Sequence, residues 1–229
     1  MQSTAERFEP ECSSARMSRD HEARYLFAGG FVRGKTVLDI ACGTGYGAYR
    51  LAKSGAVHVT GADISEESIE QATQKYRVDN LTYARRSMLD INDSDAWDII
   101  TSFESIEHVS DYMKVLANFY RALKTGGLLI LSTPNRLITS PFLRSHNEKP
   151  RNPYHVREFS VGEIIDAIRS VGFLISEDDM YGQRQRRYVA SRILRRVQKM
   201  FLSPDTRSSP DVLPLKQAPR YTVIVAHKA

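Results

Sequence analysis

The segment Val37-Leu38-Asp39-Ile40-Ala41-Cys42-Gly43-Thr44-Gly45-Tyr46-Gly47 limits the fold more than any other part of the chain. A short apolar run that ends in glycines reads as a buried parallel strand turning sharply into a helix. Glycine permits such a turn and lets the backbone approach a ligand with no Cβ in the way. The spacing is G-x-G-x-G, whereas a dinucleotide fingerprint has G-x-G-x-x-G and seats a pyrophosphate on the helix N-terminus. Asp39 lies near the strand end, where a carboxylate repels a phosphate and suits a cation.

The rest of the chain continues the alternation begun there. Residues 20–33 read as a lead-in helix with Ala23, Leu26, Phe27 and Phe31 on one side. The strand 36–42 leads to a helix over 46–53, and the strand 58–64 to a helix over 66–77 that Ser65 caps. Strands at 81–86 and 97–103 precede a helix over 111–124, with Ser110 as its cap and Gly126-Gly127 as its stop. A fifth strand over 128–134 is followed by a long Pro-, Asn- and Arg-rich loop, 135–158. Ser160-x-x-Glu163 then opens a helix as a capping box, and strands at 173–182 and 221–228 close the chain. The expected fold is an α/β, Rossmann-like, seven-stranded, mostly parallel sheet with helices on both faces. Such sheets bind ligands at the carboxyl ends of their strands, which gathers the loops after residues 41, 63, 87, 103 and 134 around one site.

The strand, the acid and the glycine loop together resemble the class I S-adenosylmethionine-dependent methyltransferases, over roughly residues 20–180. The glycine spacing disfavours the rival of the same architecture, a nicotinamide oxidoreductase. The resemblance implies that Gly43, Gly45 and Gly47 lie under the methionine part of S-adenosylmethionine, with Asp39 on its amino group. It implies that Asp63 grips the ribose hydroxyls, that Ile64 beside it also binds the cofactor, and that Ser87 and Met88 meet the adenine. Two departures stand out: many members have Asp at the place of Ser87, and Ala41 replaces a common glycine. Tyr25 in the lead-in helix is a candidate lid residue, and Phe103 closes the fourth strand beside the cofactor.

The loop Ser102-Phe103-Glu104-Ser105-Ile106-Glu107-His108 faces the transferable methyl group in that family. His108 suits the role of general base, since imidazole titrates near neutrality, and Glu107 is placed to orient it. The same loop, with His155 in Asn152-Pro153-Tyr154-His155-Val156-Arg157-Glu158-Phe159, resembles the metal-dependent small-RNA 2′-O-methyltransferases and the ubiquinone-biosynthesis O-methyltransferases. On that resemblance Glu104, Glu107, His108 and His155 form a candidate site for Mg²⁺ or another divalent metal that binds a diol and lowers its pKa. The Asn152–Phe159 stretch, with Glu6-Arg7-Phe8 and His21-x-x-Arg24-Tyr25, is also similar to methyltransferases of polysaccharide clusters.

Composition narrows the class without naming it. The net charge of +5 is local, because seven basic and no acidic residues lie between Arg184 and Lys199. Residues 1–19 read as a polar lead-in and 20–229 as one domain with a basic insertion at about 182–220. Within it, 184–201 has the pattern of a basic amphipathic helix, which fits an anionic membrane surface, a lipid-linked substrate or a solvated lid. It lacks the interleaved aromatics that stack bases, so nucleic acid is the weaker partner. No run is apolar enough to cross a membrane, and two cysteines cannot make a disulfide framework, so a cytoplasmic setting, peripheral to the membrane at most, is the default. The sequence therefore points to O-methylation of a saccharide or another small hydroxylated acceptor. The alternatives are a metal-dependent RNA 2′-O-methyltransferase and a catalytically silent scaffold on the cofactor fold.

Overall fold

The computed structural model describes residues 15–185 and 209–229. Its strands are β1 (Thr36–Ile40), β2 (His58–Asp63), β3 (Leu81–Arg85), β4 (Trp97–Phe103), β5 (Leu123–Pro134), β6 (Met180–Gln183), β7 (Leu213–Pro214) and β8 (Tyr221–His227). The helices are α1 (Ala15–Gly29), α2 (Tyr46–Lys53), α3 (Glu66–Lys75), α4 (Tyr112–Ala122), α5 (Arg136–Thr139) and α6 (Val161–Ser170). One sheet runs in the order β3-β2-β1-β4-β5-β8-β6-β7. The first five strands pair in parallel, while β8, β6 and β7 add antiparallel pairs, so the sheet is mixed and eight-stranded instead of seven-stranded. The extra strand is the two-residue β7, which lies inside the span expected as an insertion, 182–220, and has no periodicity of its own.

Alternation along β1 sorts its side chains between two cores. Leu38 and Ile40 face α4 and α6, meeting Leu116, Phe119, Ile164 and Ile168. Val37 faces the other way, with Val59, Ile99 and Ile130, onto Ala28 of α1 and Leu51 of α2. Both faces are covered, as a parallel sheet requires. The expected caps of α3 and α6 are both in place: Ser65 Oγ accepts from Ser68 N at 3.2 Å, and Ser160 and Glu163 form a reciprocal capping box.

Several boundaries differ from expectation, each for a local reason. Asp111, not Ser110, caps α4, accepting from Lys114 N at 3.1 Å. Gly126-Gly127 does not stop α4, which already ends at Ala122 as Leu123 turns extended. The glycines fall in an irregularity of β5, where pairing with β4 jumps from Trp97–Leu123 to Ile99–Leu128 and Gly126 takes φ 75°. The strand expected over 173–182 is reduced to 180–183, because Glu177–Asp179 form a 3-10 turn beneath a Ser176–Asp179 capping box. Part of the expected insertion belongs to the sheet, since Gly182 and Gln183 complete β6 and pair with β8. The basic helix expected over 184–201 lies almost wholly outside the described residues, as do Glu6-Arg7-Phe8 and Cys12.

Helix α1 carries the largest departure. Leu26 is 59% exposed; Phe27 and Phe31 pack partly on the core as expected, but the buried positions are Asp20, Arg24, Tyr25 and Ala28. Three of those four are polar, and each has a partner. Asp20 pairs with Arg184 at 2.6 Å, Arg24 Nη1 donates to Gln183 Oε1 at 2.7 Å, and Tyr25 donates to Asp39 at 3.2 Å. Burial of such groups is tolerated only when they are hydrogen-bonded. These bonds clamp α1 across the carboxyl ends of the parallel strands. Among the described residues no helix is long and apolar enough to cross a membrane.

Candidate functional site

The glycine loop follows from the end of β1. Ala41 takes φ 62°, Gly43 54° and Gly45 84°, so three residues in five are left-handed. Two are glycines, and the third is an alanine where the strained backbone favours a glycine. A Cβ on Gly47 would lie 1.8 Å from the Tyr25 ring, so only glycine lets that ring pack on the start of α2. A Cβ on Gly43 meets nothing within 4 Å, which leaves that side of the loop open to a ligand. Asp63 ties the loop to β2: its Oδ2 accepts from Gly43 N at 2.9 Å and its Oδ1 from Ser65 N at 2.9 Å.

Asp39 stands on the α1 side of β1, only 1% exposed. Its carboxylate accepts from Thr101 Oγ1 at 2.6 Å, the residue beside it in register on β4, and from the Tyr25 hydroxyl. Burial pushes its pKa up to about 7, the nearby charge of Asp63 adds to this, and the two hydroxyls only partly offset it. Its partners among the described residues are thus neutral donors, and a cation beside it would restore the ionised form. Phe103 packs edge-on against Tyr25 at 5.0 Å and closes the wall. Ile64 is 56% exposed next to Asp63, Ser87 caps a 3-10 turn by accepting from Leu89 N at 3.1 Å, and Met88 packs partly on the core.

The loop after β4 builds the other half. Glu104 takes φ 47°, a strained conformation for a residue with a side chain. Ser132 holds it from both ends, accepting from Glu104 N at 3.1 Å through its carbonyl and donating its hydroxyl to Glu104 Oε1 at 2.8 Å. Glu107 is fully buried in the short 3-10 turn Ile106–His108. Thr133 donates to its Oε2 at 3.1 Å, while Oε1 has no hydrogen-bond partner. Burial, and then the charge of Glu104, push its pKa well above the carboxylate range.

His108 is held by a segment far away in sequence. Its Nδ1 donates to the Tyr154 carbonyl at 3.1 Å, which places the accepting lone pair of the neutral ring on Nε2. The Glu107 carbonyl accepts from Val156 N at 2.9 Å and Arg157 N at 3.1 Å, binding the two loops together. His155 stands edge-on to His108 at 5.0 Å and donates Nδ1–H to Glu158 Oε1 at 2.7 Å. Glu158 is 1% exposed. Burial raises its pKa, but hydrogen bonds from His155 and the Thr139 and Ser140 hydroxyls outweigh this and hold it below the usual range.

Of the four expected metal ligands, the structure brings three together. Donor atoms of Glu107, His108 and His155 all lie within 4.8 Å of one another. Glu104 is not part of the group, being turned onto Ser132 by its left-handed backbone. Glu107 also does not orient His108 through its side chain, because Thr133 takes one oxygen and the Tyr154 carbonyl takes the ring. Sequence reasoning missed Thr101, Thr133, Tyr154 and Glu158. Only the His155-x-x-Glu158 spacing gave a signal for any of them.

Residues 14–177, more than half the chain, match the family model for a methyltransferase domain. A probable S-adenosylmethionine-dependent methyltransferase of Mycolicibacterium smegmatis is 30% identical over 159 residues, covering 69% of this chain and 60% of that protein. A ubiquinone biosynthesis O-methyltransferase of Coxiella burnetii is 38% identical over 116 residues, 46% of either chain. The chain therefore matches only 60% or less of the length of these curated relatives. A solved S-adenosylmethionine-dependent methyltransferase from Thermotoga maritima, described as a possible histamine N-methyltransferase, has a TM-score of 0.66 at 19% identity. That alignment covers 91% of this chain and 89% of that one, and speaks for the fold alone. The match to the family model, on a sheet that carries its glycine loop and acids at the carboxyl ends of parallel strands, makes the chain a member of the class I S-adenosylmethionine-dependent methyltransferases.

Proposed function

We propose that the chain moves the methyl group of S-adenosylmethionine to a hydroxyl oxygen of a sugar or another small hydroxylated metabolite. The observation that carries this reading is the fixed tautomer of His108, whose Nδ1–H is committed to the Tyr154 carbonyl. Its Nε2 is then the atom suited to take the acceptor's proton as the oxygen attacks the methyl carbon. S-adenosylmethionine bound there would supply the methyl group, its sulfur keeping the C–S electron pair, so that S-adenosylhomocysteine, a methyl ether and an imidazolium on His108 would result. The O-methyltransferase name of the Coxiella burnetii relative supports an oxygen acceptor.

In this reading Asp39 takes the cofactor's ammonium group, and the backbone of Ala41, Gly43, Gly45 and Gly47 lies under its methionine part. Asp63 receives the ribose hydroxyls on the lone pairs that Gly43 N and Ser65 N leave. Ile64, Ser87 and Met88 border the adenine, with Tyr25 and Phe103 as the wall on the α1 side. The test is incubation of the purified protein with methyl-labelled S-adenosylmethionine and fractionated cell extract. Label in carbohydrate or small-molecule fractions supports the reading. Label in RNA or protein, or none anywhere, overturns it.

A second reading has one specific observation behind it, the cluster of Glu107, His108 and His155. Both histidines donate Nδ1–H to oxygen acceptors, the arrangement that fixes ligating imidazoles, and Glu107 Oε1 is buried without a partner. Two imidazoles and one carboxylate suit a transition ion better than Mg²⁺. A bound ion would lower the pKa of an acceptor diol. Against it, Asn152 Nδ2 stands 3.0 Å from His155 Nε2 and competes for that nitrogen. Loss of labelling on chelation, with recovery on adding Zn²⁺ or Mn²⁺, establishes this reading. Labelling indifferent to the chelator removes it.

A further inference from the structure

The cofactor half of the site is acidic, and the loop that holds His108 has the opposite character. Residues 140–157 contain Arg144, Lys149, Arg151 and Arg157 against one acid, Glu148. Glu148 Oε1 faces the backbone, accepting from Arg144 N at 2.8 Å and Ser145 N at 3.2 Å. Arg157 is committed to the Ser110 carbonyl at 3.0 Å and to the Tyr112 ring at 4.4 Å. The side chains of Arg144, Lys149 and Arg151 are exposed, and among the described residues no acid pairs with them. The same stretch holds three of the nine large apolar side chains exposed in the described residues: Phe142 at 70%, Tyr154 at 45% and Val156 at 48%.

This loop is pinned at several points. Arg136 donates to the Leu143 carbonyl at 2.9 Å, Arg151 N to Ser140 Oγ at 2.9 Å, and His146 stacks on Phe159 at 5.8 Å. Its Tyr154 carbonyl receives His108, so the residue that exposes an aromatic ring is the one that sets the proposed base. Exposed cations and exposed rings on one loop held by hydrogen bonds complement an anion that also carries an apolar or planar part.

We propose that the 140–157 loop recognises a phosphate or pyrophosphate ester on the methyl acceptor, engaged by Arg144, Lys149 and Arg151 with Phe142 and Tyr154 as the apolar contact. The acceptor class is then a phosphorylated saccharide, either soluble or carried on a lipid headgroup. The inference rests on the methyltransferase reading above and deepens it by naming what the acceptor bears.

The test uses the full chain and the variant R144A/K149A/R151A. Calorimetry measures inorganic pyrophosphate binding at low salt, and sedimentation measures capture by vesicles of equal parts phosphatidylcholine and phosphatidylglycerol. S-adenosylmethionine binding, measured in parallel, reports the fold and the cofactor reading separately. The triple substitution weakens anion binding roughly tenfold or more, the scale of a lost charged hydrogen bond, and leaves cofactor affinity unchanged. Loss of pyrophosphate binding identifies a soluble ester, and loss confined to vesicles a lipid-borne one. Anion binding equal in the wild type and the variant, or absent from both, overturns the proposal. Failure of the wild type to bind S-adenosylmethionine sinks the methyltransferase reading instead, while a variant alone that fails to bind it is replaced by the three single substitutions.

Discussion

The two halves of the site are built in opposite ways. The proposed cofactor half comes from short stretches around Asp39 to Gly47 and Gly61 to Ser65, joined by adjacent parallel strands and by Asp63. The proposed acceptor half joins Glu104 to His108 with Tyr154 to Glu158, segments some forty-six residues apart that meet through backbone carbonyls. One is a local property of a strand and its turn, while the other exists only when a long loop folds back. The lesson is that a cofactor shared by a whole family can be read from a compact motif. An acceptor that differs between members is recognised by parts with no fixed pattern.

Substitutions that strike one half and spare the other test this division. His108→Ala should lower turnover at least ~100-fold with cofactor affinity nearly unchanged, since general-base catalysis supplies roughly that much. Steady-state kinetics beside direct cofactor binding measures it, and unchanged turnover ends the catalytic role of His108. Asp63→Ala should weaken S-adenosylmethionine binding by about 1.5–3 kcal/mol, the range for hydrogen bonds to charged groups. Wild-type affinity in calorimetry would detach Asp63 from the cofactor half.

Asp39 gives the next effect, which appears in pH. Its pKa is about 7 in the folded chain and roughly 3.9 in an unfolded one. Between those values the folded chain holds a proton the unfolded chain has released. The cofactor-free fold therefore loses stability as pH rises through that window, and Asp39→Asn should flatten this dependence in thermal melts. If the cofactor's ammonium group meets Asp39 as proposed, it selects the ionised carboxylate, and affinity should fall as pH drops below about 7, by at most about tenfold per unit. An affinity constant from pH 5 to 8 would mean that Asp39 does not meet the cation. The smallest effect belongs to Ala41→Gly. Release of the left-handed strain at φ 62° should raise stability by about 0.5–1 kcal/mol, seen as a higher melting temperature.

Particular elements show where sequence reasoning holds and where it stops. The span of α2 and the caps of α3 and α6 follow from residues within a few positions of one another. The inward face of α1 does not. Apolar periodicity puts Leu26 inside, yet Arg24 and Asp20 are buried because Gln183 and Arg184 reach them from positions 159 and 164 residues away. Such burial depends on partners that no local window contains. The turn at Glu177–Asp179 and the two-residue β7 are likewise settled by neighbours across the sheet.

The sequence by itself determined the parallel α/β core, the glycine loop and the two strand-end acids. Those rest on hydrophobic period and backbone conformation, which act over a few residues. Tertiary structure alone decided that Thr101 and Tyr25 hold Asp39, that Glu104 turns away onto Ser132, and that Tyr154 fixes the tautomer of His108. Each of these is a hydrogen bond between distant segments. Its strength comes from a low-dielectric setting that does not exist until the chain has closed around it.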